Sequence, residues 1–225
     1  MPVIVAANPK GGVGKSTACL VLGTMLARQG DSVCIIDADP QQTLGRWAQA
    51  GLSAFAHLVR AVRPGEDLVD VIDRAAQTAK FVIIDVQGSA NMEMATAMSR
   101  ADLVIIPIRA KTEDAEVSVK AIGLLRTQEK LHRRTINHGV LFMCTSSAIK
   151  TREERDIIKS IDRAAIPRFA VALNERTAFS QMLAQKKTLW ELEDGDVNGL
   201  AGALANATSY VNDIRSTLDQ QRSAA

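Results

Sequence analysis

The chain has 225 residues, of which 47% are hydrophobic and 23% are charged, and its formal net charge is +2. This is the composition of an ordinary globular domain, so disordered and collagen-like structures are excluded. Uncharged apolar runs stop near six residues, whereas a membrane-spanning helix needs about twenty.

Short apolar runs rich in Val and Ile alternate with segments of helical pattern along the chain. The runs predict strands at 3–7, 33–37, 81–85, 103–107, 140–144 and 170–173. Most are continuously apolar, as in strands that helices cover on both faces. Helices are predicted between them, at 15–29, 68–79, 91–100, 113–128, 152–164 and 177–185. Right-handed crossovers would wind these helices over both faces, so we predict an α/β fold with a doubly wound, mostly parallel sheet.

A last helix is predicted from about residue 197 to 220. Its apolar residues recur at alternating spacings of four and three, which gives one apolar stripe. We expect this stripe to pack on the sheet, with a partner-binding role as the alternative. Because no repeat, low-complexity tract or Pro/Gly-rich linker divides the sequence, we expect one domain over residues 1–225.

Three cysteines, Cys19, Cys34 and Cys144, lie far apart in apolar stretches. An odd, dispersed set favours buried free thiols over disulfides or metal ligands. The first residues also lack the basic leader and cleavage site of a secretory signal. We therefore expect a cytoplasmic protein.

A glycine-rich loop joins the first predicted strand to the first predicted helix. Residues 8–17 are Asn-Pro-Lys-Gly-Gly-Val-Gly-Lys-Ser-Thr, and the order of strand, loop and helix is that of a phosphate site. Glycines let successive N–H groups point at phosphate oxygens, and the helix N-terminus adds partial positive charge. We expect Lys15 to reach the β- and γ-phosphates of a nucleotide and Ser16 to bind Mg²⁺. The expected nucleotide-binding residues are Lys10, Gly11, Gly12, Val13, Gly14, Lys15, Ser16 and Thr17.

The loop departs from the usual pattern, because Pro9 stands where a glycine is expected and Lys10 precedes the glycine pair. Lys-Gly-Gly-x-Gly-Lys-Ser resembles the deviant Walker A loop of the ParA/MinD family of P-loop ATPases, in which the extra lysine is the signature. The resemblance implies that Lys10 crosses a homodimer interface to the partner's ATP and, with Lys15, acts in catalysis. A cation from a second subunit would compensate charge that develops on the transferred phosphoryl group.

Two carboxylates, Asp37 and Asp39, stand at the end of the second predicted strand in the sequence Asp-Ala-Asp-Pro-Gln. This run resembles the second acidic motif of the same family. The resemblance implies that Asp37 lies near Mg²⁺ through a water molecule and that Asp39 orients the attacking water. The alternative is that both are loop acids that cap the next helix.

The third predicted strand ends at Asp85, in the position of a Walker B acid. By the same resemblance, Asp85 holds Mg²⁺ through a water molecule. Many relatives continue with Asp-x-Pro, whereas this chain continues Val-Gln-Gly-Ser. We expect Gly88 to give this loop flexibility and Gln87 to contact the phosphate or the water.

The resemblance to small ParA-type partition ATPases covers most of residues 1–115 and weakens beyond them. Farther on, residues 166–168 and 176–179 keep the rough family pattern near the nucleotide base. The chain end, 218–225, has one basic residue and no bulky apolar face. It therefore departs from the membrane-bound MinD branch, and we expect no membrane binding.

Charge is unevenly distributed along the chain. Residues 120–187 hold fourteen basic and six acidic groups, whereas residues 1–100 hold nine of each. Such a segment could neutralise DNA phosphates without reading bases. The alternative is a solvated face, since Glu153, Glu154 and Asp156 lie in the same stretch. The candidate DNA-binding residues are Arg152, Arg155, Lys159, Arg163, Lys186 and Lys187.

The resemblance implies an ATPase that uses ATP and Mg²⁺, turns over slowly and is stimulated by a ParB-like activator on its cargo. Its ATP-bound homodimer would bind nucleoid DNA nonspecifically and so segregate a plasmid or a chromosome. One alternative is an ATPase that positions a non-DNA cargo or a conjugative DNA complex. Another is a metabolic ATP-dependent ligase on the same fold.

Overall fold

The computed structural model describes residues 1–146, 150–193, 195 and 197–224. Within these ranges the chain forms seven strands: β1 (Val3–Ala6), β2 (Val33–Ala38), β3 (Val59–Ala61), β4 (Phe81–Val86), β5 (Leu103–Arg109), β6 (Asn137–Thr145) and β7 (Leu173–Asn174). The helices are α1 (Lys15–Arg28), α2 (Thr43–Gln49), α3 (Leu68–Thr78), α4 (Met92–Arg100), α5 (Thr112–His132), α6 (Arg152–Arg163), α7 (Thr177–Ala184) and α8 (Leu200–Ala224), with a short 3₁₀ turn at Ala56–Leu58.

The strands form one parallel sheet in the order β3-β2-β4-β1-β5-β6-β7. The central strand β1 pairs with β4 on one side and β5 on the other, so Val5 lies beside Ile84 and Val104. These strands are continuously apolar and buried, as expected where helices cover both faces. The doubly wound parallel α/β prediction is confirmed.

Alternating strand residues face two separate helical layers. One layer packs α1, α2, α7 and α8 against side chains such as Ile4, Ile35 and Ile83. The other packs α3, α4, α5 and α6 against Val5 and Ile84. The last helix contacts α1 and β7, and Tyr210 and Val211 on it are buried, so the expected packing of its apolar stripe is confirmed.

Side-chain caps fix where several helices begin. The Asp67 carboxylate accepts hydrogen bonds from the first turn of α3, and Asn91 and Thr151 do the same for α4 and α6. These polar residues satisfy N–H groups that a helix leaves unpaired at its start.

The structure differs from the sequence prediction at the edges of the sheet. The edge strand β3 has three half-buried residues, so it has no apolar run, and the short helix α2 that precedes it was also missed. At the other edge, the strand predicted at 170–173 is wrong for most of its length, because β7 contains only Leu173 and Asn174. β6 begins three residues earlier than predicted, at Asn137, where polar side chains interrupt the apolar pattern.

The three cysteines are free, as expected, but they differ in burial. Cys19 is buried, Cys34 is half-buried and Cys144 is exposed, so the prediction of a buried thiol is wrong for Cys144. Its backbone φ of +54° at the end of β6 turns it to the edge of a cleft. No helix in the described ranges is long and apolar enough to cross a membrane. Side chains from 221 onward, which belong to the predicted chain end, lie outside the description.

Candidate functional site

A cleft of about 720 Å³ lies at the carboxyl edge of the sheet, where β1, β2, β4 and β6 end. In open α/β sheets this edge is where ligands bind. One side of the cleft is the glycine loop, and the other is formed by the ends of β6 and β7 and by the start of α7. The lining includes Gly11, Gly12, Gly14, Lys15, Ser16, Thr17, Asp39, Gln87, Gly88, Arg109, Cys144, Arg176 and Phe179.

The glycine loop is held in a curled conformation by its backbone and by one buried amide. Gly12 and Gly14 have φ values of +73° and +100°, a region that glycine adopts without steric cost. Asn8 is fully buried; its Nδ2 donates to Pro107 O at 2.8 Å, and its Oδ1 accepts from Lys10 N at 2.8 Å. Asn8 therefore ties the loop to the end of β5. The sequence analysis missed this role, although a polar residue at the end of an apolar strand could have signalled it.

Lys15 begins α1 and folds its ammonium group back into the loop. Its Nζ donates to Lys10 O at 3.1 Å and to Asn8 O at 3.3 Å. Burial lowers the pKa of Lys15, while the charges of Asp85 and Asp39 act in the opposite direction. The ammonium group is thus held at the centre of the loop.

Lys10 turns its side chain to the other side of the loop, toward α5. Its Nζ lies 2.5 Å from Asp114 Oδ1 and 3.4 Å from Glu113 Oε2. The structure therefore separates the two lysines: Lys15 faces the cleft, and Lys10 contacts the first turn of a neighbouring helix.

Asp37 and Asp39 have different surroundings. Asp37 is completely buried, and its carboxylate accepts from Gly45 N at 2.8 Å and from Asp39 N at 3.1 Å. Asp37 therefore braces the start of α2, which is the alternative role that the sequence analysis left open. Burial raises its pKa. Asp39 lines the cleft, and its Oδ1 accepts from Gln41 N at 2.9 Å.

Asp85 lies next to Asp37 in the register of β4 and β2. Both of its carboxylate oxygens are buried without a hydrogen bond of normal geometry. Burial raises its pKa to about 7; the nearby Ser16 hydroxyl and Lys15 ammonium lower it, and the charges of Asp37 and Asp39 raise it. A buried carboxylate whose oxygens lack a hydrogen bond of normal geometry, beside a hydroxyl, fits a hydrated Mg²⁺ ion, which prefers oxygen ligands and keeps several waters.

Gly88 brings the loop after Asp85 against the glycine loop. A Cβ added at Gly88 would lie 2.9 Å from Gly11 N and 3.0 Å from Gly11 Cα. Glycine is thus required here by close backbone approach, which differs from the flexibility that the sequence analysis assigned to it. Neighbouring Gln87 lines the cleft; its contact with a phosphate or a water molecule stays a prediction.

Of the residues that were expected near a nucleotide base, those at 176–179 lie on the far side of the cleft, whereas those at 166–168 do not line it; Ile166 lines a separate cavity beside α6. Arg176, Thr177 and Phe179 line the cleft together with Met143 and Leu173. The Nε of Arg176 is buried without a hydrogen bond, and its guanidinium packs so closely on Gly202 that a Cβ there would lie 2.7 Å away. These apolar and planar groups suit the face of an aromatic base.

The candidate DNA-binding residues do not form one surface. Arg152, Arg155, Lys159 and Arg163 are exposed and share one face of α6, because their spacing is three, four and four residues. Lys186 and Lys187 follow α7, which packs on the opposite face of the sheet. The structure therefore separates the α6 stripe, defined by those four residues, from the lysine pair.

The chain is similar to known nucleotide-binding proteins over most of its length. Residues 4–189 match the family model "CobQ/CobB/MinD/ParA nucleotide binding domain". The chain is 34% identical to Protein ParA of Rhizobium radiobacter over 215 residues, which cover 93% of this chain and 94% of that protein. It is 24% identical to the maintenance of carboxysome distribution protein A of Halothiobacillus neapolitanus, over 84% of this chain and 87% of that protein. The fold matches the MinD cell division protein of Aquifex aeolicus with a TM-score of 0.68 at 16% identity, over 96% of this chain and 98% of the other.

Proposed function

Because the chain belongs to the CobQ/CobB/MinD/ParA family of nucleotide-binding domains, we propose that it is an ATPase that segregates DNA or positions another cargo through an ATP-dependent homodimer. The observation that carries this proposal is the cleft itself. The glycine loop, with Lys15 and Ser16, and the Asp39 carboxylate line one space of about 720 Å³, and the Asp85 carboxylate is buried close to Ser16 and Lys15. We treat residues 1–225 as one such ATPase domain.

The residues of the cleft divide the work of binding ATP. Backbone N–H groups of Gly11, Gly12, Val13 and Gly14 face the phosphates, and Lys15 neutralises them. Ser16 would bind Mg²⁺ directly, and Asp85 and Asp37 would hold it through water molecules; the ion would neutralise phosphate charge. Thr17 lies in the first turn of α1, where the loop ends. The apolar wall at Phe179 and Met143 receives the base.

Hydrolysis requires a water and compensation of developing charge. Asp39 lines the cleft. Its carboxylate can therefore accept a hydrogen bond from a water molecule and orient that molecule. Lys10 supplies its ammonium to the ATP of the partner subunit, which couples dimerisation to turnover. Turnover is slow in the isolated protein, and a ParB-like protein on the cargo stimulates it.

The ATP-bound dimer binds nucleoid DNA in the cytoplasm without reading its sequence and without using a membrane. The α6 stripe supports this role because it is exposed. Its Arg152 pairs only loosely with Asp156, at 3.9 Å, and the described part of the chain gives no ion pair to the other three residues. Two protomers would present two stripes, and phosphate contacts of this kind are additive.

A second candidate is the positioning of a non-DNA cargo, which the 24% identical carboxysome-distribution protein favours. The nucleotide cycle would be the same, and only the cargo and its activator would differ. The two functions can be distinguished by the kind of protein that stimulates ATP hydrolysis. One that is a DNA-binding protein favours partition, whereas one from a protein assembly favours positioning.

The test is a titration of duplex DNA of arbitrary sequence with ATP and Mg²⁺, with ADP and Mg²⁺, and without nucleotide, at several salt concentrations. We expect binding only with ATP and a steep loss of affinity with salt, because released counterions drive the association. Lys15→Ala is the control and should abolish ATP-dependent binding. Equal binding in all three nucleotide states would contradict the proposal.

A further inference from the structure

The signature lysine of the glycine loop is engaged within its own chain. Lys10 Nζ lies 2.5 Å from the carboxylate of Asp114, which is 104 residues away in sequence. The Lys10 side chain is 35% exposed, whereas that of Asp114 is 2% exposed. Removing the ammonium would therefore leave a buried carboxylate, which is less favourable than breaking a surface ion pair.

Asp114 is itself held in place by the turn between β5 and α5. Its second oxygen, Oδ2, accepts from Arg109 N at 3.1 Å, and its own N–H bonds to Lys111 O at 3.1 Å. The residue lies in the first turn of α5, where the helix dipole favours a negative charge. One carboxylate oxygen thus serves the backbone, and the other faces Lys10.

The backbone of Lys10 is fixed as firmly as its counter-ion. Its N–H donates to Asn8, its carbonyl accepts from Lys15, and Asn8 is bonded to Pro107 near the start of the same turn. Because both ends of the contact are anchored, only the side-chain torsions of Lys10 decide whether its ammonium stays on Asp114. The Lys10 ammonium therefore has a defined position within its own chain, on the Asp114 carboxylate.

We propose that Asp114 is a positioning residue that holds Lys10 inside its own subunit at rest, and that dimerisation on ATP requires Lys10 to exchange Asp114 for the partner's nucleotide phosphates. The exchange step rests on the proposed function, because it needs the cross-subunit role of Lys10. An ammonium engaged with Asp114 is not available to a second subunit. The intrachain pair therefore opposes dimerisation until triphosphates compete for the lysine.

The protonation of Lys10 is consistent with this arrangement. The hydrogen bond and charge of Asp114 raise the pKa of Lys10 above its usual value, and Glu113 adds to the effect. The amine therefore stays protonated and reacts slowly with acylating reagents while the pair is intact.

The first experiment measures acylation of Lys10 in the nucleotide-free protein, with each lysine resolved by peptide mass spectrometry. Asp114→Asn removes the charge but keeps an oxygen for Arg109 N–H, so the fold should persist, which a thermal melt checks. We expect the Lys10 rate to rise severalfold while the exposed Lys159 on α6 is unchanged. Glu113→Gln is the matched control, because Glu113 is 85% exposed and 3.4 Å away; it should change the rate little. An unchanged Lys10 rate in Asp114→Asn would overturn the proposal.

The second experiment measures the dimer dissociation constant by sedimentation with a non-hydrolysable ATP analogue and Mg²⁺. Asp114→Asn should dimerise severalfold more tightly than the wild type, whereas Glu113→Gln should match the wild type. Faster acylation together with equal or weaker dimerisation would overturn the exchange step. If the wild type forms no dimer, the proposed function and the exchange fail together, while the acylation rates still decide whether Asp114 holds Lys10.

Discussion

Asp85 has a carboxylate that is buried, lacks a hydrogen bond of normal geometry and lies beside two further acids. Without a cation, burial raises its pKa to about 7, well above the value near 4 of an unfolded chain. Between these values the folded protein holds a proton that the unfolded chain has released. The contribution of Asp85 to the free energy of unfolding therefore falls as pH rises from about 4 to 7 and stays unfavourable above that range.

Asp85→Asn should stabilise the nucleotide-free protein at pH 8, because the amide has no charge to desolvate. The pKa shift of Asp85 corresponds to a gain in the free energy of unfolding on the order of 2–4 kcal/mol at pH 8 and much less at pH 5. Urea unfolding at the two pH values measures it. With ATP, the same variant should bind Mg²⁺ more weakly, since the charged carboxylate that would hold the hydrated ion is lost.

Asp73→Asn is the control for this change. Asp73 is half-exposed and pairs with Arg100 on the surface, so we expect its substitution to change stability by less than about 0.5 kcal/mol at both pH values. If Asp85→Asn gave the same stability difference at pH 5 and pH 8, the carboxylate would not be the source of the pH dependence.

Among the helices, α6 carries basic residues in a form that can contact a polyanion. Ile157 and Ile161 bury one face of the helix, and the α6 stripe occupies the exposed one. The lysine pair after α7 has similar charge but lies on the other side of the sheet. Substituting each set in turn therefore shows whether DNA binding depends on the α6 surface or only on the net charge of the protein.

Replacing Arg155, Lys159 and Arg163 by alanine should weaken ATP-dependent DNA binding at least tenfold. It should also reduce the slope of log affinity against log salt by roughly 2–3 for each stripe of the dimer that contacts DNA, since each lost phosphate contact contributes about 0.9. The measurement is the DNA titration in ATP at several salt concentrations. Alanine at Lys186 and Lys187 is the control and should leave the slope nearly unchanged. If substitution of the lysine pair lowered the slope and the α6 substitutions did not, the DNA-binding surface would lie on the α7 side of the sheet.

The elements that sequence could predict are those with a strong local pattern. The central strands are continuously apolar; the glycine loop and Asp39 follow such strands, and Asp85 lies near the end of one. The edge strand β3 is three residues long and half-buried, so no periodicity marks it. The capping role of Asp37 could be stated only as an alternative, because it depends on where α2 begins.

Contacts between distant parts of the chain were beyond sequence reasoning. Asn8 bonds to a carbonyl 99 residues away and Lys10 to a carboxylate 104 residues away, and neither partner stands in a recognisable motif. The separation of α6 from the lysine pair depends on which face of the sheet each crossover helix packs. Counting charges along the sequence does not show this.

For the whole molecule, the proposed function requires a second subunit. Lys15, Ser16, Asp39 and Gln87 line the cleft, whereas the Lys10 ammonium lies on α5 in the same chain. A second copy that supplies its own Lys10 would complete the charge compensation. Nucleotide binding, dimerisation and hydrolysis would then be one coupled process.

The most direct measurement of this coupling is light scattering of the protein with a non-hydrolysable ATP analogue and Mg²⁺. We expect the wild type to be a dimer, Lys10→Ala to be a monomer that still binds the nucleotide, and Lys15→Ala to lose the nucleotide. An analogue-dependent dimer of Lys10→Ala as stable as that of the wild type would contradict the cross-subunit role of Lys10.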